Sequence, residues 1–101
     1  MSDFTMTYDF EWDPIKKERN LIKHGVAFEE AATVFLDPDA LSELDSKHGG
    51  FEERWITMGF STGGRLLVVC HTFDEVGRRR CRIRLISSRR AARKERQSYG
   101  K

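Results

Sequence analysis

From Arg80 to Leu85 the chain reads Arg-Cys-Arg-Ile-Arg-Leu, an alternation of cation and apolar residue with a period of two. A β-strand sends successive side chains to opposite faces. The stretch therefore predicts a strand with Cys81, Ile83 and Leu85 in a core and Arg80, Arg82 and Arg84 outside it. Neighbouring guanidiniums on the outer face would lie about 6.8 Å apart. Such a row is unfavourable unless solvent, carboxylates or a bound anion compensates it. The rest of the chain has to supply an apolar layer for one face and tolerate a cationic row on the other.

The other segments fit around that strand. Tyr8 to Trp12 alternates aromatic and acidic residues and predicts a short strand. Asp13 and Pro14 form a helix start, an N-capping acid before a proline whose missing N–H costs nothing there. The helix should run to Gly25, a natural C-terminal stop. A second helix is expected near Ala27–Phe35, with Phe28, Ala31, Ala32 and Phe35 as one buried stripe, ended by Asp37-Pro38-Asp39. A short strand at Ala40–Leu44 and a polar loop over 45–52 follow. Strands are then expected from Arg54, from Arg65 and from Arg80, with turns at Thr62-Gly63-Gly64 and Asp74–Gly77. Leu66 to Cys70 is apolar on both faces, so it belongs centrally. A last helix is expected over about Arg90–Tyr99. The expected fold class is α+β, an antiparallel curved sheet with two N-terminal helices and one C-terminal helix packed on it.

With 101 residues, one domain is expected over 1–101. No apolar run approaches the roughly 20 residues that span a bilayer. The acidic start, Met-Ser-Asp-Phe, lacks the basic region of a secretory signal, which predicts a cytoplasmic protein without membrane contact. In that setting Cys70 and Cys81 are expected to be thiols in neighbouring strands. His24, His48 and His71 show no metal-ligand spacing, so no metal and no cofactor is expected. Phosphate-loop, nucleophile-elbow and Cys/His nucleophile signatures are absent from the sequence.

Charge is divided sharply. Residues 1–53 carry five Lys/Arg against thirteen Asp/Glu, whereas residues 54–101 carry thirteen against three, so the net +2 hides −8 and +10. Cys81–Arg96 alone holds six arginines and a lysine with one acid, Glu95. Arg89, Arg90 and Arg93 fall at the expected start of the last helix, where cations oppose the helix dipole. Helix N–H groups, the Ser87 and Ser88 hydroxyls and converging guanidiniums would suit a phosphate. Two other uses fit the same arginines: pairing with the acids of residues 1–53, or an acidic protein partner.

RNA cleavage is a chemistry this composition allows without metal. The ribose 2′-OH attacks the adjacent phosphate, which calls for a base, a cation on the non-bridging oxygens and a proton donor for the 5′-oxygen. His71, at the end of the central strand, is the candidate acid or base. Arg54 and Arg65 could add charge, and His48 lies in a glycine loop. Lys23 and His24 read as helix C-terminal capping, and Lys16 and Asn20 as structural. Trp12 and Trp55 read as core, with base stacking possible if exposed.

Three blocks now point to a family: Phe10–Phe35, Glu52–Thr72 and Arg82–Tyr99 resemble, in order and spacing, BrnT-type ribonuclease toxins of bacterial type II toxin–antitoxin systems. The likeness covers residues 8–99. Its matching positions include Trp12, Asp13, Lys16, Asn20, Lys23, His24 and Gly25, then Arg54, Trp55, Gly59, Gly64, Arg65, His71 and Thr72. In the last block they are Arg82, Arg84, Ser87, Arg89, Glu95, Arg96 and Tyr99. The family pattern has alanine where this chain has Ser88. The resemblance implies a RelE-like fold and a metal-independent endoribonuclease that blocks translation. It also implies a BrnA-like antitoxin in a 2:2 complex, with operator DNA reached only through the antitoxin. Fold analogy does not assign roles within such nucleases. From the residues, Arg84 and Arg89 are expected on the scissile phosphate, His71 as acid or base and Tyr99 as substrate contact or stacking group. Arg54, Arg65, Arg80, Arg82, Arg90 and Arg93 are the expected RNA-phosphate contacts. The alternative is a non-catalytic RNA-binding or protein-interaction module using the same face.

Overall fold

The computed structural model describes residues 6–47, 50 and 52–100. Strand β1 (Thr7–Trp12) leads into helix α1 (Pro14–His24) and a short α2 (Phe28–Ala32), which tightens into a 3₁₀ turn, Thr33–Leu36. Strands β2 (Leu41–Asp45), β3 (Arg54–Phe60), β4 (Leu66–His71), β5 (Asp74–Gly77) and β6 (Arg80–Arg90) follow, and then helix α3 (Arg93–Ser98). All six strands share one sheet in the order β1-β6-β4-β3-β2, with β5 also on β6.

The sheet is mixed, which corrects the all-antiparallel expectation. β2, β3, β4 and β6 pair antiparallel, but β1 runs parallel to β6 with Tyr8 opposite Cys81 and Trp12 opposite Leu85. Period-two patterning is common to both ladders, so strand direction is set only when the helices carry the chain back across the sheet.

Local signals place α1 as expected. Asp13 Oδ1 accepts the Ile15 N–H at 2.8 Å, and Gly25 at φ 69° donates its N–H to the Leu21 carbonyl. The second helix is shorter than expected. Thr33 Oγ1 donates to the Glu30 carbonyl at 2.6 Å, and the chain tightens from there into the 3₁₀ turn.

The two faces of the sheet differ. On one, Val26, Phe28, Ala31 and Val34 pack onto Leu67, Val69, Ile83 and Leu85, with Tyr8, Phe10, Trp12 and Phe35 around them. Burying each of the larger side chains is worth about 1.5–3 kcal/mol. Gly59 lets the 3₁₀ turn sit directly on β3: a Cβ there would lie 2.9 Å from Val34 Cγ1. The other face is open except at one end, where Tyr99 covers Met58, Leu66, Val68 and Ala91. Cys70 and Cys81 are both free; strand alternation sends Cys70 to the open face and Cys81 into the helix-side core.

The C-terminal helix also needs correcting. Arg89 and Arg90 are strand residues, because β6 keeps pairing with β4 through Val68 opposite Arg89 and Leu67 opposite Arg90. A register shift at Cys70/His71 realigns the ladder on the way. Tertiary pairing thus outweighs the helical preference of the Arg-Arg-Ala-Ala-Arg-Lys run.

Candidate nucleic-acid interface

The period-two reading of β6 is correct: Cys81, Ile83 and Leu85 are buried and Arg80, Arg82 and Arg84 lie on the open face. Their register beside β1 supplies carboxylates. Asp9 is opposite Arg82 and Glu11 opposite Arg84. Each pairs with the guanidinium one step away: Asp9 accepts from Arg80 at 2.7 Å, and Glu11 forms an ion pair with Arg82 at 3.5 Å. Arg84 pairs with Glu52. Arg65 binds Glu30 and reaches the Gly25 carbonyl at 3.2 Å. Four of the expected phosphate contacts therefore hold acids of the N-terminal half. The pairs of Arg80, Arg82 and Arg84 are exposed or half-exposed, a setting in which each contributes about 0–1 kcal/mol and exchanges readily, whereas Arg65 and Glu30 are mostly buried.

Arg89 is held by Glu95 in a fork, Nη1 to Oε1 and Nη2 to Oε2, both at 2.8 Å. Glu95 Oε1 also accepts the Ala92 N–H at 2.7 Å, at the start of α3. The Arg89 guanidinium drives the Glu95 carboxyl down to about 2. The anion at this helix start is thus the chain's own. The expected cradle of helix N–H groups, two serine hydroxyls and guanidiniums is not assembled: Ser88 is fully buried, while Ser87 lies at the surface of β6. Arg90 lines a cleft of about 170 Å³ with Phe60, Gly64, Arg65 and Arg96. Arg93 is exposed at the start of α3, and Arg54 Nε is buried without a hydrogen-bond partner among the described residues.

His71 lies on the helix side of the sheet, away from Arg84 and Arg89, and is only 2% exposed. A carbonyl only accepts, so the ring donates from Nδ1 to the Thr72 oxygen at 2.8 Å. Nε2 then accepts from Thr57 Oγ1 at 2.7 Å, and Thr57 accepts from Ser42 Oγ at 2.7 Å. Burial holds the imidazole below its usual pKa, against the opposing pull of the Thr72 carbonyl. The ring stands edge-on to Phe35 and lines a cleft of about 290 Å³ with Tyr8, Ser42, Trp55 and Phe73.

Tyr99 donates to Asp37 and packs edge-on against Phe60 at 5.1 Å. The Asp37 carboxylate pushes its phenol up to about 12, so the hydroxyl stays protonated. Trp12 packs on Phe28 with the Lys17 ammonium 5.8 Å from its ring. His48 lies outside the described residues. Among the described residues no three His, Cys, Asp or Glu side chains converge to hold a metal ion, and no helix is long and apolar enough to cross a membrane.

Over residues 12–95 the chain matches the family described as "Ribonuclease toxin, BrnT, of type II toxin-antitoxin system". The chain belongs to this family. No curated protein matches it. Among solved structures it is similar to the crystal structure of the Brucella abortus ribonuclease toxin BrnT, at 23% identity and a TM-score of 0.58. That match covers 87% of this chain and all of the other. Membership in the BrnT family carries with it ribonuclease toxin activity in general and an antitoxin partner.

Sequence reasoning assigned Lys16 a structural and Lys23 and His24 a capping role, did not single out Arg19, and missed that the four share a cleft. Lys16, Arg19, Lys23 and His24 line a cleft of about 290 Å³ between α1 and β6, with Ser87 on its far wall. The signal was present as the i, i+3, i+7 spacing of three cations inside an otherwise acidic half.

Proposed function

We propose that this protein is a metal-independent endoribonuclease toxin that blocks translation in the cytoplasm. In this proposal a BrnA-like antitoxin neutralises it in a complex of two toxins and two antitoxins, and the antitoxin's DNA-binding part represses the operon. A RelE-like ancestry for the fold belongs to the same proposal. The observation that carries it is the family match over residues 12–95. The row of arginines on an uncovered sheet face supports RNA as the substrate.

The reaction balances with the RNA and solvent water alone. The 2′-oxygen attacks phosphorus and gives its proton to water, the bond from phosphorus to the 5′-oxygen breaks, and that oxygen takes a proton from water, leaving a 2′,3′-cyclic phosphate. Arg84 and Arg89 would hold the non-bridging oxygens as charge builds on them, after the phosphate replaces Glu52 and Glu95. Arg54, Arg80, Arg82, Arg90 and Arg93 would bind flanking phosphates, and Arg65 would stay a support through Glu30. Tyr99, protonated, would contact substrate. The burial of His71 and its two internal hydrogen bonds support a structural role instead of proton transfer.

The test is cleavage of a long unstructured RNA by the purified protein in excess chelator, beside Arg84→Ala. The wild type should cut and the variant should not, with equal melting temperatures. Absence of cutting by the wild type, with salt-sensitive binding retained, would favour the second reading, a non-catalytic RNA-binding module. The carboxylate partners of Arg80, Arg82, Arg84 and Arg89 are the observation on that side.

A further inference from the structure

Arg80, Arg82, Arg84 and Arg89 already have carboxylates, whereas most cations of α1 do not. Among the described residues, Lys16, Arg19 and Lys23 make no ion pair, although the N-terminal half around them is rich in acid. The neighbouring Lys17, turned to the other side of the helix, takes Glu29. The three free cations follow one flank of α1 at spacings of three and four residues, so they stack along the axis. Lys16 to His24 spans about 12 Å at 1.5 Å per residue. That is a track, longer than a pocket for one phosphate.

The track also leads somewhere. β1 ends opposite Leu85, so beyond that point the edge of β6 is bordered by α1 instead of a strand. Ser87 on the cleft wall lies in β6 between Arg84 and Arg89, within about 7–10 Å of each along the strand. Ser87 is paired with Cys70, which faces the open side, so the wall of the cleft and the open face meet at this residue. The α1 cleft and the arginine face are therefore one cationic strip turned around the edge of β6.

We propose that the cleft between α1 and β6 is a binding track for the phosphodiester backbone of single-stranded RNA, held by Lys16, Arg19 and Lys23, which delivers the strand to the open face at Ser87. A linear row of unpaired cations fits a repeating anion, and its continuity with Arg84 and Arg89 favours RNA over an acidic peptide. The proposal extends the ribonuclease reading, but binding alone tests it, so a failure of cleavage leaves it standing.

The experiment is fluorescence anisotropy with a labelled 2′-O-methyl oligouridylate, which lacks the attacking hydroxyl, titrated over a salt series. Each lost phosphate contact should flatten the log–log salt slope by about 0.7. Lys16→Gln with Lys23→Gln is expected to weaken binding at least tenfold and flatten the slope by about 1.4. Arg19→Gln alone should flatten it by about 0.7, and serves if the double variant melts early. Lys16→Arg with Lys23→Arg should bind as the wild type does. Wild-type affinity and slope in both glutamine variants would overturn the proposal. So would equally tight binding of polyglutamate lost in the same variants, which would reassign the cleft to an acidic protein.

Discussion

Where β1 stops, the edge of β6 loses its parallel partner, and a side chain takes over. Asn20 Oδ1 accepts the Ser88 N–H at 3.0 Å, and Nδ2 donates to the Ser88 carbonyl at 2.8 Å and the Val26 carbonyl at 2.9 Å. One buried amide thus satisfies three backbone groups that packing has removed from water. Asn20→Ala leaves them unpaired at about 1–3 kcal/mol each, so a loss of about 3 kcal/mol or more is expected in urea unfolding. His71 makes a second residue-scale case. Its folded pKa lies below the usual 6.5. As pH falls below that value the unfolded chain takes up a proton that the native one resists. Its contribution is therefore full above about pH 6.5 and is lost as pH falls through the lowered native value. His71→Ala should be less stable and lack that acid-side slope, yet cut RNA within about tenfold of wild type when measured below its melting temperature. A rate loss on the order of 10²–10⁴ would return His71 to proton transfer.

Among the elements, α3 is the one its own sequence supports least. Six residues are far below the length at which a helix stands alone in water. Two ties hold it: Glu95, shared between the Ala92 N–H and Arg89, and Tyr99, donating to Asp37 and packed on Phe60. Glu95→Gln keeps the shape and removes the charge. The lowered carboxyl, at about 2 against its ordinary 4.5, contributes stability above about pH 4.5 and loses it as pH falls toward 2. Discounted for solvent exposure, the pair is worth about 1 kcal/mol. Melting curves of wild type and variant should differ by that much at pH 6 and converge by about pH 2. The helix-side elements were legible because their signals are local: Asp13-Pro14, Gly25, the Phe28/Ala31 stripe. The α3 boundary was not, since the register of β6 on β4 decides where the strand ends, and no residue in the run Ser88–Arg93 announces it.

For the whole molecule, the divided charge of the two halves resolves into pairs across the sheet: Asp9, Glu11, Glu30 and Glu52 against Arg80, Arg82, Arg65 and Arg84. Because three of these pairs are exposed or half-exposed and salt screens the mostly buried Glu30–Arg65 pair little, raising salt from about 0.05 to 0.5 M should lower unfolding free energy by less than about 2 kcal/mol. A larger fall would mean that a pair is far less solvated than its exposure indicates. Period-two and helical patterning, the capping residues and the three family blocks were enough to set most of the elements, the buried side of β6 and the family, but not β5, because Asp74–Gly77, expected as a turn, pairs with β6 as a strand. Each of these depends on neighbours a few residues apart. What needed the folded chain was the parallel direction of β1, the placement of His71 behind the sheet, and which cations go without a carboxylate. Those depend on contacts between residues as far apart as Asp9 and Arg80, or Asn20 and Ser88. Only closure of the sheet brings such residues within reach, and no local preference encodes that.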